Sequence, residues 1–492
     1  IDSKHIKDSK LPLRNEIWGV GGIGRKSKLS QFRFGYTATK KSNTYEKLRK
    51  AIGLWKLLVN ESNYLLCSLP FETILLEVQA SSKDAFVEIS DAYLITDNLT
   101  IYATVIQDNI IIQITNNSIT LSDLVYRKIS QFVEFSIVFC EVLQDFLILI
   151  VEDTDKQVKI KIYRIVFSEV SPTLEGDTDT DIFKYFELTC EQVLDFQPSM
   201  LKACTVKDEE LTIAIGGFDG NLHFILFKDG ELTILKTYDL IQFSNYSHDE
   251  ITELSFIIPH DMIVTESEII IGTQEGYYLK FDIVNDVKNN LQCKQFLRIG
   301  STSVRLCPTS DVKLLLVYSD QLWLLNKYES EYPNRVYFDD NFERSILQSV
   351  EIENTKNNSK WKSLALIRDN GLVLVDVSTF CQPSIRQLSM PDNAKKLIYI
   401  PHVSTFLVLY HSNYANSRIK CVDKKSIKVV PHRETNIKYR LTSNMNGDDN
   451  ETYIFQDDEI PISVCIWEVQ RNGSKKSMTT KKILIGCEKR SS

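Results

Sequence analysis

Glycine and proline are scarce in this sequence, with 18 and 12 among 492 residues, which excludes a collagen-like chain and a proline-rich linker protein. No apolar run approaches the roughly 18 residues that a membrane-spanning helix needs, so we expect no membrane partner. Residues 1–5 contain no methionine and lead into no signal-peptide hydrophobic region, and we expect the chain to be an internal part of a longer protein. Helical periodicity is also nearly absent, which favours an all-β protein.

Cysteine usage and net charge limit the possible functions further. The ten cysteines are scattered without a CxxC pair, and most lie in apolar, strand-like contexts such as those of Cys67 and Cys465. This pattern is typical of reduced, buried thiols in a cytosolic or nuclear protein, and not of a zinc site or a disulfide framework. The net charge of −8 argues against a general electrostatic grip on nucleic acid.

An apolar strand, a polar turn and a second apolar strand recur along the chain. The turns contain Asp, Asn, Gly or Glu and the flanks are rich in β-branched residues, which together predict β-hairpins. Turn centres near positions 108, 153, 219, 275, 320 and 370 lie about 45 to 66 residues apart, and four-stranded units of about 40 to 50 residues are typical of propeller blades. The predicted hairpins are residues 102–115, 147–162, 211–224, 269–283, 314–326 and 365–377.

These repeats predict an all-β fold that contains one complete seven-bladed β-propeller. Seven blades of about 50 residues need about 350 residues, and residues 59–412 supply that length. Residues 1–58 contain a hairpin-like pair, 16–20 with 29–36, and a polar, basic connector. Residues 413–492 contain strands near 418–422, 426–430, 460–469 and 482–487, which are too few to bury a core and predict the opening of a further, truncated domain.

Residues 19–24 (GVGGIG) match the pattern of dinucleotide-binding loops, and Arg25, Lys26 and Ser27 add the character of a phosphate loop. Both loops need a helix N-terminus directly after the glycines, because its backbone N–H groups must point at phosphate. Here residues 29–34 alternate like a strand. We therefore predict a glycine-rich hairpin turn and no nucleotide cofactor.

Acidic and histidine side chains offer no strong site pattern. Asp177, Asp179 and Asp181 have the opening spacing of a calcium loop, but Ile182 and Leu188 stand where that loop requires Gly and Glu, so a solvated surface loop is the better interpretation. The seven histidines form no ligand-spaced pair, although assembly of distant residues in space stays an alternative. No catalytic, cofactor-binding or metal-binding residue is predicted, and the protein-binding residues are unknown.

A small basic cluster precedes the first predicted blade. In an acidic chain a solvated linker is the favoured interpretation, and a nucleic-acid patch is the alternative. The cluster consists of Lys40, Lys41, Lys47, Arg49 and Lys50, with Tyr45 among them.

Several short motifs, taken in order, resemble one protein family. They resemble the large subunit of UV-damaged-DNA-binding protein, its counterpart in splicing factor 3b and the large cleavage-and-polyadenylation subunit, and they are collinear with that family over nearly the whole chain. Trp55, within the second motif, is predicted to anchor a core. The motifs are residues 24–29 (GRKSKL), 52–57 (IGLWKL), 64–68 (YLLCS), 299–306, 361–366, 384–388, 394–399 and 406–409.

The resemblance implies that the chain covers the end of a first propeller, all of a second and the start of a third. The step Gly53-Leu54-Trp55 is most similar to the ubiquitin-ligase adaptor branch, and the divergent, Asn- and Lys-rich sequence is similar to the fungal methyl-methanesulfonate-sensitivity adaptor. It implies a nuclear, non-enzymatic, WD40-like scaffold of a cullin-RING ubiquitin ligase in DNA repair and replication. The expected partners are a cullin, docked by the second propeller, and substrate-receptor proteins, with nucleic acid associated weakly or through the complex.

Two alternatives stay open. Within the same fold, the chain is a scaffold subunit of the splicing or mRNA 3′-end machinery. In a different class, it is a propeller enzyme, which requires convergent acid and base residues with perturbed pKa values along the central channel.

Overall fold

A computed structural model describes most of the chain as β-strands joined by turns. Short 3-10 helices lie at Glu46–Leu48, Ile182–Tyr185 and Leu240–Tyr246, and no helix within the described residues is long and apolar enough to cross a membrane. The structure describes residues 16–23, 26–60, 62–79, 83–90, 93–106, 109–124, 128–166, 182–207, 210–246, 257–265, 267–284, 290–338, 346–352, 363–390, 393–400, 405–411, 418–423, 452–454, 459–471 and 478–489.

Strands β1 (Glu16–Gly21) and β2 (Lys28–Lys40) form an antiparallel hairpin, as predicted. Gly22 in its turn has a φ of 99°, and a Cβ there would overlap the backbone of Lys26. Only glycine fits such a turn without strain.

Five four-stranded antiparallel sheets follow, each made of four consecutive strands. Sheet 1 contains β3 (Gly53–Val59), β4 (Ser62–Ser68), β5 (Thr73–Val78) and β6 (Phe86–Glu88), and sheet 2 contains β7 (Thr100–Ile106), β8 (Ile110–Thr115), β9 (Ser118–Ser122) and β10 (Lys128–Phe132). Sheet 3 contains β11 (Ser136–Leu143), β12 (Phe146–Glu152), β13 (Val158–Ile165) and β14 (Phe186–Val193). Sheet 4 contains β15 (Pro198–Lys207), β16 (Glu210–Gly217), β17 (Asn221–Lys228) and β18 (Glu231–Asp239), and sheet 5 contains β19 (Pro259–Val264), β20 (Glu268–Thr273), β21 (Tyr277–Val284) and β22 (Asn290–Arg298).

Strand β2 takes part in the remaining sheets of this region. Its Ala38, Thr39 and Lys40 pair with the last three residues of β29 (Gly371–Val377), so a strand that precedes sheet 1 completes a sheet built from much later residues. Through β2 these strands belong to one ten-stranded sheet, and two parts of it form sheets 6 and 7. Sheet 6 is β23 (Arg305–Pro308), β24 (Leu314–Tyr318), β25 (Leu322–Asn326) and β26 (Asn334–Phe338), and sheet 7 is β27 (Ile346–Ile352), β28 (Ser363–Arg368), β29 (Gly371–Val377) and the end of β2.

The first strands of successive sheets contact one another in a ring. The contacts run from β3 through β7, β11, β15, β19, β23 and β27, and return to β3. Four-stranded sheets arranged around a centre are the architecture of a β-propeller, and sheets 1 to 5 are complete blades of it.

The core lies between neighbouring sheets. All residues of β8, β24 and β25 are buried, because sheets pack against both of their faces and the usual alternation of buried and exposed residues disappears. Apolar clusters are shared by adjacent sheets. One of them, which contains Ile112 and Leu149, joins sheets 2 and 3, and another joins sheets 1 and 7.

The contacts divide the chain into two units. The larger consists mainly of Ala38–Tyr337 and Arg344–Thr379, and the smaller of Arg14–Thr37, Phe338–Glu343 and Phe380–Ser492. In the smaller unit, β30 (Gln382–Ser389) pairs with β2, β31 (Asn393–Ile400) to β34 form a four-stranded sheet, and β35 pairs with β36. The remaining bounds are β32 (Thr405–His411), β33 (Arg418–Asp423), β34 (Thr452–Ile454), β35 (Glu459–Arg471) and β36 (Met478–Lys489).

The smaller unit has its own apolar core, which draws on distant parts of the sequence. Leu29 from β2 packs with Met390, Phe406 and Val408, and the ring centroids of Trp18 and Phe406 lie 4.4 Å apart. Residues 18–29 and 390–408, which are far apart in the sequence, therefore build one core.

All six predicted hairpins are confirmed as antiparallel pairs. The strands predicted at 460–469 and 482–487 are also present, within β35 and β36, and the structure shows that they pair with each other. The strand predicted at 418–422 is present as β33, whereas residues 424–430 lie outside the described residues. The insert predicted at 168–181 also lies outside them, as does most of the insert at 286–290. The domain bounds 59 and 412 stay a prediction, although the strand pairing of sheet 1 begins at Gly53.

Candidate functional site

Charged side chains from four neighbouring inner strands form a cluster near the centre of the ring. Lys202 on β15 donates a hydrogen bond from Nζ to Oε1 of Glu141 on β11, at 2.6 Å. Asp261, on β19, accepts the backbone N–H of Met262 at 2.8 Å and that of Leu306, on β23, at 2.7 Å. We call Glu141, Lys202, Asp261 and Arg305 the central cluster.

The pKa values of Glu141, Lys202 and Asp261 in the central cluster are perturbed. Burial raises the pKa of Asp261 and of Glu141, and it outweighs the opposing effect of Lys202 on both. Burial lowers the pKa of Lys202, but the attraction of Glu141 and Asp261 is stronger, so its pKa lies above the usual value. Beside the cluster, burial and then Arg305 lower the pKa of His260 to about 4.

The hydrogen bonds of the central cluster connect sheets to one another. Glu141 and Lys202 link sheets 3 and 4, and Asp261 links sheets 5 and 6. A further link leads on to sheet 1, because Gln348 of sheet 7 donates to the carbonyl oxygen of Ile52 at 2.6 Å. Structural ion-pair networks perturb pKa values as catalytic groups do, and both carboxylates here already accept hydrogen bonds from the scaffold. The arrangement therefore favours a role in holding the ring together.

The glycine-rich loop lies in the hairpin of β1 and β2. Gly19 and Gly21 are strand residues, and Lys28 begins the next strand. Gly24 and Arg25 lie outside the described residues. Since a strand follows the loop, as predicted, no helix dipole is aimed at a phosphate here.

The predicted basic cluster is largely neutralised by nearby acids. Lys41 lies 2.8 Å from Asp376, and Lys47 lies 2.8 Å from Glu88. Arg49 pairs with Glu46 at 2.7 Å, and Lys40 donates to the hydroxyl of Thr44. Such pairing fits the interpretation of a solvated linker better than that of a nucleic-acid patch.

The Gly53-Leu54-Trp55 step has a packing explanation. Trp55 is half-buried against Leu57, Leu66 and their neighbours, as expected of a core anchor. Its indole ring lies so close to Gly53 that a Cβ there would overlap it. Glycine at this position makes room for the tryptophan.

The cysteines and histidines form no site within the described residues. Seven cysteines have described side chains, all are free thiols, and burial raises the pKa of Cys204 and of Cys307 to about 12. His223 is buried in β17, and His260 lies at a bulge of β19. Within the same residues no three His, Cys, Asp or Glu side chains are grouped to hold a metal ion. Asp177, Asp179 and Asp181 lie outside them.

A cavity of about 440 Å³ lies beside sheets 5 and 6. It is on the rim that carries, in each sheet, the turn between the first and second strands and the turn between the third and fourth strands. The side chain of Lys280 is only 5% exposed and lies 2.9 Å from Oε1 of Glu268, whose other oxygen pairs with Lys327. Burial by itself raises the pKa of Glu268. The hydrogen bonds from Lys327 and Lys280 together lower the pKa by more, so it lies below its usual value. The cavity is lined by Ser267, Glu268, Lys280, Asp282, Ile283, Lys294 and Glu331.

A second rim feature lies beside this cavity. Val312, Tyr328 and Tyr332 are 76%, 63% and 36% exposed. The hydroxyl of Tyr328 donates to Asp311 at 3.3 Å, and Nζ of Lys313 lies 4.6 Å from the centre of its ring. We call Val312, Tyr328 and Tyr332 the Tyr328 patch.

Neither rim feature was predicted from the sequence. Lys280 and Asp282 interrupt an otherwise apolar strand, and a lysine in such a strand is a signal that could have indicated a paired, buried charge. Its link to Lys327 depends on the contact between two sheets, which no local pattern reveals.

Comparison with known proteins identifies the family. The model of the family described as RSE1/DDB1/CPSF1 second beta-propeller matches residues 41–338, more than half of the chain. No curated protein matches. The crystal structure of Saccharomyces cerevisiae Sqt1 is similar with a TM-score of 0.44 at 9% sequence identity, over 70% of this chain and 99% of that one. By the family match, the chain belongs to the RSE1/DDB1/CPSF1 family and contains its second β-propeller.

Proposed function

We propose that this chain is a non-enzymatic adaptor of a nuclear cullin-RING ubiquitin ligase that acts in DNA repair and replication. The observation that carries the proposal is the match of residues 41–338 to the second propeller of a scaffold family. The resemblance of the Gly53-Leu54-Trp55 step to the adaptor branch selects the ligase from the roles that this family serves. Propellers present loops on rigid rims, which suits the docking of a cullin and of substrate receptors.

The docking body in this proposal is a closed seven-bladed propeller. Sheets 1 to 7 supply the blades, and the end of β2 closes the ring by pairing with β29. Its bounds are then residues 38–40 and 53–377, in place of the 59–412 expected from the repeats. The remaining strands belong to neighbouring propellers of the longer family architecture.

A scaffold of the splicing or mRNA 3′-end machinery is the alternative within the family. The description of the matching family covers these branches together, so the match favours none of them. Nucleic acid enters either proposal only weakly or through the complex, because the chain is acidic and its basic cluster is paired.

A propeller enzyme is the alternative of another class, and the central cluster is the observation that favours it. The perturbed pKa values of Glu141, Lys202 and Asp261 match the expected pattern. Their hydrogen bonds to neighbouring sheets support the structural role instead. We therefore retain the scaffold as the proposal.

The test is a pull-down with the purified complete chain as bait. The cognate fungal cullin N-terminal region and a splicing-complex partner are offered separately at equal concentration. Retention of the cullin is expected. Retention of the splicing partner alone would support the alternative branch, and retention of neither would leave the fold without the proposed function.

A further inference from the structure

We propose that one rim of sheets 3 and 4 is a docking surface for a basic segment of a protein partner, which places an arginine side chain against Asp195, Asp219 and Phe218. This rim carries the turn between the second and third strands of each sheet and the connection that leads into each sheet. We call residues 132–135, 153–157, 194–197 and 218–220 on it the acidic sector. The proposal rests on the scaffold role proposed above and names the surface and the chemistry of the partner.

The acidic sector has a strong excess of negative charge. It contains five carboxylates and one lysine, Lys156, whereas the whole chain has 65 acidic and 57 basic residues. The lysines of the adjacent strand β13, Lys159 and Lys161, are already paired with acids of their own sheet. Of the five carboxylates only Asp153 has an ion-pair partner within the described residues, so a basic partner supplies positive charge that this surface lacks. The carboxylates are Glu134, Asp153, Asp155, Asp195 and Asp219.

Asp195 and Asp219 lie at the sheet 4 end of the acidic sector, and both are exposed. The backbone N–H of Phe218 donates to the carbonyl oxygen of Gln197 at 3.0 Å, so the connection and the turn that carry the two carboxylates lie side by side. Asn221 donates to both oxygens of Asp219, which fixes this carboxylate before any partner arrives and lowers the entropy lost on binding. A guanidinium group pairs with carboxylates and stacks on aromatic faces, and the 49% exposed ring of Phe218 offers such a face beside Asp219.

His223 adds an unmade hydrogen bond at this end of the acidic sector. Its ring is 9% exposed and stacks on Phe196 with 4.1 Å between the ring centroids. Burial holds the pKa of His223 below its usual value, and the charges of Asp219 and Asp195 oppose that shift, so both carboxylates act on this ring. Nδ1 lies 3.0 Å from the hydroxyl oxygen of Thr237, whereas the buried Nε2 has no partner within the described residues. When Nδ1 donates to Thr237, Nε2 is an acceptor, and a guanidinium N–H is a donor that it lacks.

Phe132 distinguishes a protein segment from a free cation. It ends β10, directly before the connection that carries Glu134, and it is 72% exposed. A small organic cation gains nothing from this ring, whereas a segment that also buries an apolar side chain against it gains affinity through the hydrophobic effect. Aromatic residues are enriched in protein interfaces. A metal ion is not favoured, because within the described part of the chain no three His, Cys, Asp or Glu side chains are grouped to hold one.

The test uses a displayed library of short random peptides, selected on the purified complete chain. We expect enrichment of peptides with Arg near an apolar residue. Binding of a synthetic copy of a selected peptide should weaken at least about tenfold in Phe218→Ala and in Asp195→Asn, and it should tighten in Lys156→Gln. Replacement of the peptide's arginine by citrulline, which is neutral and of the same shape, should abolish the response to Asp195→Asn. His223→Phe keeps a ring against Phe196 and removes the acceptor, so it should also weaken binding.

Matched controls separate this surface from the general acidity of the chain. Asp229→Asn removes an exposed carboxylate of sheet 4 on the opposite rim, at a positive φ of 51° that asparagine tolerates, and it should not change peptide affinity. Phe71→Ala removes an exposed ring from the equivalent turn of sheet 1 and should not change it either.

Three results would each overturn the proposal: enrichment of acidic peptides, no enrichment, or affinities unchanged by Phe218→Ala and Asp195→Asn. An equal loss of affinity in Asp229→Asn and Asp195→Asn would also overturn it, because binding would then follow net charge alone. A failed cullin pull-down bears on the proposed function alone, because the peptide selection needs no cullin.

Discussion

Gly371 shows how one residue controls closure of the ring. Its φ is 127°, and a Cβ would overlap the carbonyl oxygen of Tyr45, in the segment that follows β2. Tyr45 and Leu372 exchange backbone hydrogen bonds of 2.8 and 3.0 Å at this point. The absence of a side chain at position 371 therefore permits the two distant segments to meet.

Gly371→Ala should lower the free energy of unfolding by about 2–4 kcal/mol, since it combines backbone strain with a steric overlap. Gly230→Ala is the matched control: Gly230 also has a positive φ, 82°, but its surroundings are open, so about 1 kcal/mol is expected. Urea unfolding followed by tryptophan fluorescence measures both. Equal losses would show that the overlap with Tyr45 relaxes without cost.

His260 should make stability depend on pH. Its folded pKa of about 4 lies below the usual 6.5, so the folded state binds fewer protons than the unfolded state between these values. The part of the folding free energy that depends on neutral His260 is fully present above pH 6.5 and is lost as the pH falls toward 4. Between about pH 7.5 and pH 5 the wild type should lose about 1–2 kcal/mol more stability than His260→Gln. Parallel pH profiles for the two proteins would contradict this expectation.

At the scale of the elements, local patterns predicted the hairpins and missed what depends on distant contacts. The predicted hairpin at 102–115 joins first and second strands, whereas the other five join second and third strands. This offset explains part of the uneven spacing of the turns. The corresponding turn of sheet 1, Leu69 to Glu72, was not predicted; Pro70 is its main turn-forming residue, and it contains no Gly, Asn or Asp.

The pairing of β2 with β29 and the central cluster could not be predicted either. Thr39 and Asp376 are 337 residues apart, and no sequence period connects them. Glu141, Lys202 and Asp261 lie in three strands that are far apart in the sequence, so their meeting becomes visible only once the sheets are arranged around a ring. Local chemistry predicts elements, and the site arises from their arrangement.

The closing strand allows a backbone contribution to be separated from a side-chain contribution. The backbone N–H of Lys41 donates to Leu374 at 2.8 Å, while its side chain pairs with Asp376 in an exposed position. Lys41→Pro removes the N–H group and should cost about 3 kcal/mol. Lys41→Met keeps it and should cost less than about 1 kcal/mol. Thermal unfolding of both variants tests this difference, and a larger effect of Met than of Pro would refute it.

Bulges also shape the outer strands of three sheets. The pairings of β13 with β14, β17 with β18 and β21 with β22 each contain one extra residue: Thr189, Leu235 and Lys294. A bulge disturbs the regular row of free N–H and C=O groups that a further strand would need. The outer edges of these sheets are therefore poor templates for pairing between molecules.

At the scale of the whole molecule, the composition of the core in the smaller unit predicts that residues 413–492 cannot fold by themselves. Its described core combines Trp18 and Leu29 with Met390, Phe406 and Val408, all of which lie outside residues 413–492. Expressed alone, residues 413–492 should show no cooperative thermal transition in circular dichroism. The complete chain, measured alongside, should show one. A sharp transition in the fragment would mean that these residues hold a core of their own.

The strand that closes the ring is made long before its partner. At roughly 5–20 residues per second, β2 leaves the ribosome roughly 15–70 s before β29. During that interval sheet 7 does not exist, and apolar side chains of sheet 1 that it later covers, such as Leu65 and Ile74, stay open to water. The nascent chain is therefore exposed to aggregation for roughly 15–70 s, so translation speed and chaperone supply should affect the yield of this protein in addition to its final stability.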